Sequence, residues 1–168
     1  RSLRWDSPGK AASVLMALLF SVTAPADAVE IIKDNSDSSG ITITGTWLTS
    51  SSIAGYHGSN YLHDNNSGKG TASVTFTPTI PQAGSYLVYA KWTESWQRSD
   101  NVPYIIQHSS GVSTVTVDQT TNGGRWHLLG TYTFATGTGG FGKVSNAGTG
   151  EPVVAAAVRF VSWDEPVA

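Results

Sequence analysis

The chain has 168 residues, no cysteine, 13% charged residues and a formal net charge of −2. That length suits one domain. The lack of cysteine excludes a disulfide scaffold, a thiolate nucleophile and a zinc–thiolate cluster, and the near-neutral balance argues against nucleic acid or an anionic membrane surface as partner. Ser, Thr, Gly and Asn are abundant while Lys and Glu are scarce, which reads as an all-β extracellular domain.

The first segment differs from the rest. Arg1, Arg4 and Lys10 precede an apolar run over 11–22, and Ala26 and Ala28 follow at the spacing of a cleavage site. This is the form of a secretory signal peptide, and the run is shorter than the roughly 20 apolar residues of a membrane span. The expected organisation is a signal peptide over 1–28 and a mature β-domain over 29–168, secreted or held at the cell surface without a membrane span. The alternative is a retained segment packed as a buried helix or strand.

Beyond Ala28 the sequence alternates with a period of two, as half-buried strands do. Strands are expected over 41–47, 71–77, 84–92, 103–108, 112–118, 125–134, 142–146 and 152–161. Ala72, Val74 and Phe76 share one face of the second, and Tyr86, Val88, Ala90 and Trp92 one face of the third. The last run is rich in alanine, but Val153, Val154, Val158 and Val161 favour strand over helix. Turn-forming stretches such as "DNNSGKG", "HSSG" and "TNGG" fall between the strands. Eight short strands so punctuated indicate an antiparallel β-sandwich of the jelly-roll kind.

Asn122-Gly123-Gly124 reads as a hairpin turn of type I′ between two such strands. Trp126, in phase with Leu128, Tyr132 and Phe134, is expected to be buried beneath it. Gln119 and Arg125 flank the turn and are left as ligand candidates.

The stretch "NVPYIIQHSSGVSTVTVDQTTNGGRWHLLGTYTF" resembles the golvesin C-terminal-like domain, also described as xanthan-lyase carbohydrate-binding-like. The motif residues are Asn101, Pro103, Tyr104, His108, Gly111, Gln119, Asn122, Gly123, Gly124, Trp126, Leu129, Gly130 and Phe134. Upstream segments match in order, and the likeness covers about residues 31–162. One departure stands out: members close with Ala-Asp-Ala-Val, whereas this chain reads Ala155-Ala156-Ala157-Val158. The resemblance implies a galactose-binding-like β-sandwich that serves as a carbohydrate-binding or accessory module of secreted polysaccharide-degrading enzymes.

Sugars offer C–H faces to aromatic rings and hydroxyl pairs to planar polar side chains. Two loops carry that chemistry: Trp96, Arg98, Asp100 and Asn101 in one, and Tyr56, His57, Asn60 and Tyr61, with His63, in the other. Trp92 fits the strand alternation and is assigned to the core, so Trp96, in a polar loop, is the expected platform. Gly137 to Lys143 mimics phosphate-binding glycine motifs, but no helix-forming sequence follows to complete one. No metalloprotease, esterase or paired-carboxylate signature appears. A lyase-like set of His57, Asn60, Tyr61 and Arg98 is equally ordinary in a sugar-binding loop.

The expectation is a non-catalytic carbohydrate-binding module for an extracellular or cell-surface polysaccharide. No cofactor is expected, with structural calcium at Asp34, Asn35 and Asp37 as the one alternative. Fusion to an enzyme or a homo-oligomer would raise its avidity. The competing readings are a structural, adhesion or filament subunit and, third, a polysaccharide lyase or hydrolase.

Overall fold

Alternating β-branched and aromatic positions build twelve strands, and no helix, among the residues described in this computed structural model, 28–163. The expected signal segment lies outside them but for Ala28. The strands are β1 (Glu30–Asp34), β2 (Ile41–Thr44), β3 (Leu48–Ser50), β4 (Tyr61–His63), β5 (Ser73–Phe76), β6 (Gly84–Lys91), β7 (Val102–His108), β8 (Gly111–Val117), β9 (His127–Phe134), β10 (Phe141–Ser145), β11 (Val154–Ala155) and β12 (Ala157–Ser162). They pair antiparallel in a four-stranded sheet ordered β1-β12-β6-β9, a five-stranded sheet ordered β2-β5-β10-β7-β8 and a small sheet ordered β11-β4-β3.

One core lies between the two larger sheets. Val88 and Ala90 of β6 and Val158 and Phe160 of β12 share it with Val74 and Phe76 of β5 and Tyr104 and Ile106 of β7. Phe134 meets Tyr86 and Phe160 edge-on, with ring centroids 5.9 and 5.6 Å apart, the arrangement aromatic quadrupoles favour. Gly142 of β10 comes so close to Val158 across the sandwich that a Cβ there would meet Cγ1 at 3.1 Å. The all-β sandwich and the inward set Tyr86, Val88, Ala90 and Trp92 are as the alternation indicates.

The apolar run 152–161 is two strands rather than one. It pairs with β4 as β11, passes through Ala156 and re-pairs with β1 and β6 as β12. Every residue from Val153 to Val158 is exposed by 1% or less, which is why the run shows no alternation: both of its faces are covered. β1, β3 and β4 fall outside the expected strands, since their short sequences lack a sustained alternation.

The hairpin expected at Asn122-Gly123-Gly124 is absent. β8 pairs with β7, at the edge of the five-stranded sheet, and β9 with β6, at the edge of the four-stranded one. Residues 118–126 therefore arch from one sheet to the other. Asn122 adopts φ 60° and Gly124 φ 76°, while Gly123 is not left-handed, so the turn is not type I′. Gly123 serves close approach: its N–H donates to Glu94 Oε2 at 2.7 Å, and Gly124 N–H to Trp92 O at 2.9 Å.

A register shift between Val88 and Tyr89 skips Leu129. The bulge reverses the face of everything before it. Leu129 is buried, Leu128 is 55% exposed, and Trp126 is half-buried on the outer face instead of beneath a hairpin.

Gly123→Ala tests the arch. The added methyl would lie 2.5 Å from Glu94 N and 2.9 Å from Trp92 O. A loss of about 2 kcal/mol in urea unfolding is expected. Gly139→Ala, where a Cβ meets nothing within 4 Å, should leave stability within about 0.5 kcal/mol.

Candidate functional site

Past Trp92 the chain leaves the four-stranded sheet and turns. Arg98 N–H donates to Ser95 O at 2.9 Å, closing a turn whose corners are Trp96 and Gln97. A corner side chain points to solvent, and Trp96 is 83% exposed. Arg98 closes the turn, folds inward and is 9% exposed. Ser99 N–H donates to Pro152 O, and Gln119 N–H to Ser99 O, both at 3.0 Å, so the turn is tied to the chain leading into β11.

The facing wall is the loop after β4, built on Asp64. Asp64 Oδ1 accepts from Val153 N at 2.9 Å and Asn66 N at 3.0 Å, and Oδ2 from Lys69 Nζ at 2.8 Å and Asn146 Nδ2 at 3.0 Å. Burial alone would raise its carboxyl pKa; these hydrogen bonds outweigh it and hold the group below the ordinary carboxylate range. The side chain has no exposed surface. Asn65 and Asn66 ride over this hub in left-handed conformation, φ 49° and 56°, which asparagine tolerates better than most residues.

Between the two walls lies a groove of about 520 Å³, whose lining includes Ile53, His63, Asn65, Asn66, Trp96, Arg98 and Glu151. On the Arg98 guanidinium, Nη2 donates to Tyr61 Oη at 3.3 Å, and Cζ stands 5.4 Å from that ring's centroid. Nε is buried without an acceptor, and no carboxylate pairs with Arg98 among the described residues. Burial and the Arg98 charge push the His63 pKa down, against the pull of Asp64, so its ring is neutral at neutral pH. Burial would raise the Tyr61 phenol, but Ser50, Ser52 and Arg98 together bring it below its ordinary value.

The candidates read from sequence do not all converge. Trp96 and Arg98 line the groove. Tyr61, 2% exposed, lies behind Arg98 and packs against Tyr56 at 6.1 Å. Asp100 is exposed but lies outside the lining. Asn101 is spent on the fold, accepting from Ser99 Oγ at 2.7 Å and donating to Gly148 O at 3.0 Å.

Gln119 is a correction of chemistry as well as place. It is fully buried, donates to Val154 O at 2.8 Å and accepts from Val154 N at 2.9 Å. It is thus out of reach of any ligand. Asn60 pairs with the Asn35 amide, and Arg125 is exposed on the arch beside Asn122.

His57 sits 5.6 Å from Trp126 on the outer face of the four-stranded sheet. There the Arg159 guanidinium stacks between Trp126, at 5.0 Å, and Tyr89, at 4.4 Å, with Lys91 5.8 Å from the Trp126 ring. The Trp126 ring is already engaged by cations, whereas Trp96 has no ring or cation partner among the described residues. Sequence reasoning missed Asn65, Asn66 and Glu151; the doubled asparagine inside a turn was the available signal.

A two-sheet β-sandwich with a polar–aromatic groove at its loop end is the class of domain these features define. The chain belongs to the Golvesin C-terminal domain family, which matches residues 31–162. It is 50% identical over 135 residues to xanthan lyase of Bacillus sp. (strain GL1), spanning 79% of this chain but only 14% of that protein. The solved structure of Paenibacillus xanthan lyase superposes with a TM-score of 0.79 at 44% identity, covering 80% of this chain and 13% of that one. At 16% identity the family 35 carbohydrate-binding module of Abf62 from Cellvibrio japonicus shares the fold, with a TM-score of 0.59 over 81% of this chain and 95% of the module.

The Asp64 hub predicts an acid-sensitive fold. Asp64→Asn should cost about 3 kcal/mol at pH 7, the scale for breaking a buried ion pair. The folded pKa is depressed, so this contribution is complete above the unfolded carboxylate range and is lost as pH falls through the folded value. Urea unfolding at pH 7, 4 and 3 should show the gap between wild type and variant closing toward acid.

Proposed function

We propose that this domain is a non-catalytic carbohydrate-binding module, carried by a secreted protein, that holds a chain of an extracellular or cell-surface polysaccharide in the groove beside Trp96. The observation that carries the reading is an 83% exposed indole at a rigid turn corner, next to the planar amides of Asn65 and Asn66 and a buried guanidinium. An indole face left in water at a tied-down corner is a stacking platform for a sugar ring, and the asparagine amides suit paired hydroxyls.

Close similarity to part of two xanthan lyases supports the reading. So does the fold held in common with a carbohydrate-binding module. The groove carries one carboxylate side chain, Glu151, and glycoside hydrolysis by paired acids needs two. A shallow polar groove binds weakly, so fusion to an enzyme or self-association would supply avidity. Among the described residues no helix is long and apolar enough to cross a membrane.

Binding in this reading needs no metal. Asp37 Oδ2 is taken by Lys33 Nζ and Asp34 N, both at 3.1 Å, and Asp34 Oδ1 by Ser36. Asp34 Oδ2 is left without a partner.

Trp96→Ala should weaken binding to a recognised glycan on a polysaccharide array at least tenfold while leaving Tm within about 1 °C, since the ring is mostly in water. Trp126→Ala should leave affinity within about twofold. Wild type that binds no glycan would favour a structural or adhesion subunit instead. Melting curves in EDTA and in millimolar calcium should coincide; a rise of several degrees with calcium would make Asp34 a metal ligand.

A further inference from the structure

Buried cations in folded proteins are paired or otherwise neutralised, because removing a charge from water is expensive. Three partly buried cations here pair with carboxylates, Lys33 with Asp37 at 3.1 Å, Lys69 with Asp64 at 2.8 Å and Arg159 with Glu30 at 3.1 Å, although Arg159 Nε has no acceptor. Their side chains keep 14, 27 and 22% exposure. Lys91 and Lys143, also partly buried, have no carboxylate partner among the described residues. Arg98 is buried where these cations are only partly so, and it has no carboxylate among the described residues. Its acceptor within the protein is a neutral phenol, and Nε has none at all. A cation–π contact with Tyr61 offsets part of the cost, on the order of 1 kcal/mol, but supplies no acceptor for the remaining N–H groups.

We propose that the groove recognises a carboxylate-bearing sugar, a uronate unit of an acidic polysaccharide, and that Arg98 is the residue that selects it. This rests on reading the groove as a polysaccharide site. A guanidinium presents a planar fork of donors matched to a carboxylate, and this one forms part of the groove wall. The rest of the groove brings no competing cation, since His63 is neutral and Lys69 is spent on Asp64. One singly charged planar acceptor fits one free cation better than a doubly charged phosphate does. Glu151, also in the lining, sharpens the selection, because it repels acidic chains that fail to reach Arg98. The sugar's ring stacks on Trp96, which recognises shape and not charge, so the two residues make separable contributions.

The test uses a panel of acidic polysaccharides (xanthan, polygalacturonate, alginate and hyaluronan), each beside its carboxyl-reduced, neutral counterpart. Wild type should bind at least one acidic member at least tenfold more tightly than its reduced form, with affinity falling as salt rises only for the acidic form. Arg98→Gln should erase that preference while keeping the weaker binding to the reduced form. Arg98→Lys should retain part of it, and Glu151→Gln should raise acidic affinity severalfold.

Circular dichroism and Tm report whether the Arg98 variants fold. If they do not, the wild-type contrast between acidic and reduced chains, with its salt dependence, decides alone. Equal affinity for acidic and reduced chains, still lost in Trp96→Ala, would overturn the carboxylate assignment and leave the groove reading standing. Equal binding of a sulfated dextran would overturn the choice of carboxylate over other anions. No binding to any member would overturn both.

Discussion

The structure depends on how the backbone of residues 153–158 is hydrogen-bonded while buried on both faces. At 1% exposure or less, no water can serve the N–H and C=O groups near the sheet switch at Ala156. An unmet one costs about 1–3 kcal/mol. The solution comes from side chains distant in sequence: Asp64 accepts from Val153 N, and Gln119 both accepts from and donates to Val154. The carbonyls nearby are used too, with Pro152 O taking Ser99 N–H and Ala156 O taking Asn35 N–H. Satisfying one buried segment thus draws four separate loops to the same end of the sandwich.

Those ties shape the groove. The Asp64 hub holds the Asn65–Asn66 turn, the Pro152 carbonyl holds the 95–99 turn, and Gln119 fixes the start of the inter-sheet arch. Trp96 is exposed on a support that cannot collapse around it. Rigidity of this kind lowers the ordering cost of binding, which matters most where affinity per sugar is small. Of the buried polar atoms left without a partner among the described residues (on Asp34, Thr93, Arg98 and Arg159), Arg98 Nε belongs to the residue that lines the groove.

The fold was legible where the physics is local. Alternation in 71–77 and 84–92 marks strands with Val74, Phe76, Val88 and Ala90 inward, and the polar loop after Trp92 marks Trp96 as exposed. What failed was long-range. Gln119 looks like a surface amide because its partner, Val154, is 35 residues away. Asn122-Gly123-Gly124 has hairpin chemistry, but whether the flanking strands pair with each other or with others is decided by the sheets. Trp126 follows from the same gap: a single bulged residue, Leu129, reverses the phase, and nothing near it in sequence announces a bulge. Asn65, Asn66 and Glu151 carry no signal of shared location until β4 and β11 pair.

The most direct measurement is a ¹⁵N-resolved NMR titration of the domain with an oligosaccharide from any polysaccharide it retains. Perturbed signals should cluster on the Trp96 indole, the backbone of Asn65 and Asn66 and the Arg98 side chain, with Trp126 and Arg125 unmoved. Perturbations gathered instead on the Tyr89–Arg159–Trp126 face of the four-stranded sheet, with the Trp96 indole silent, would contradict the groove reading.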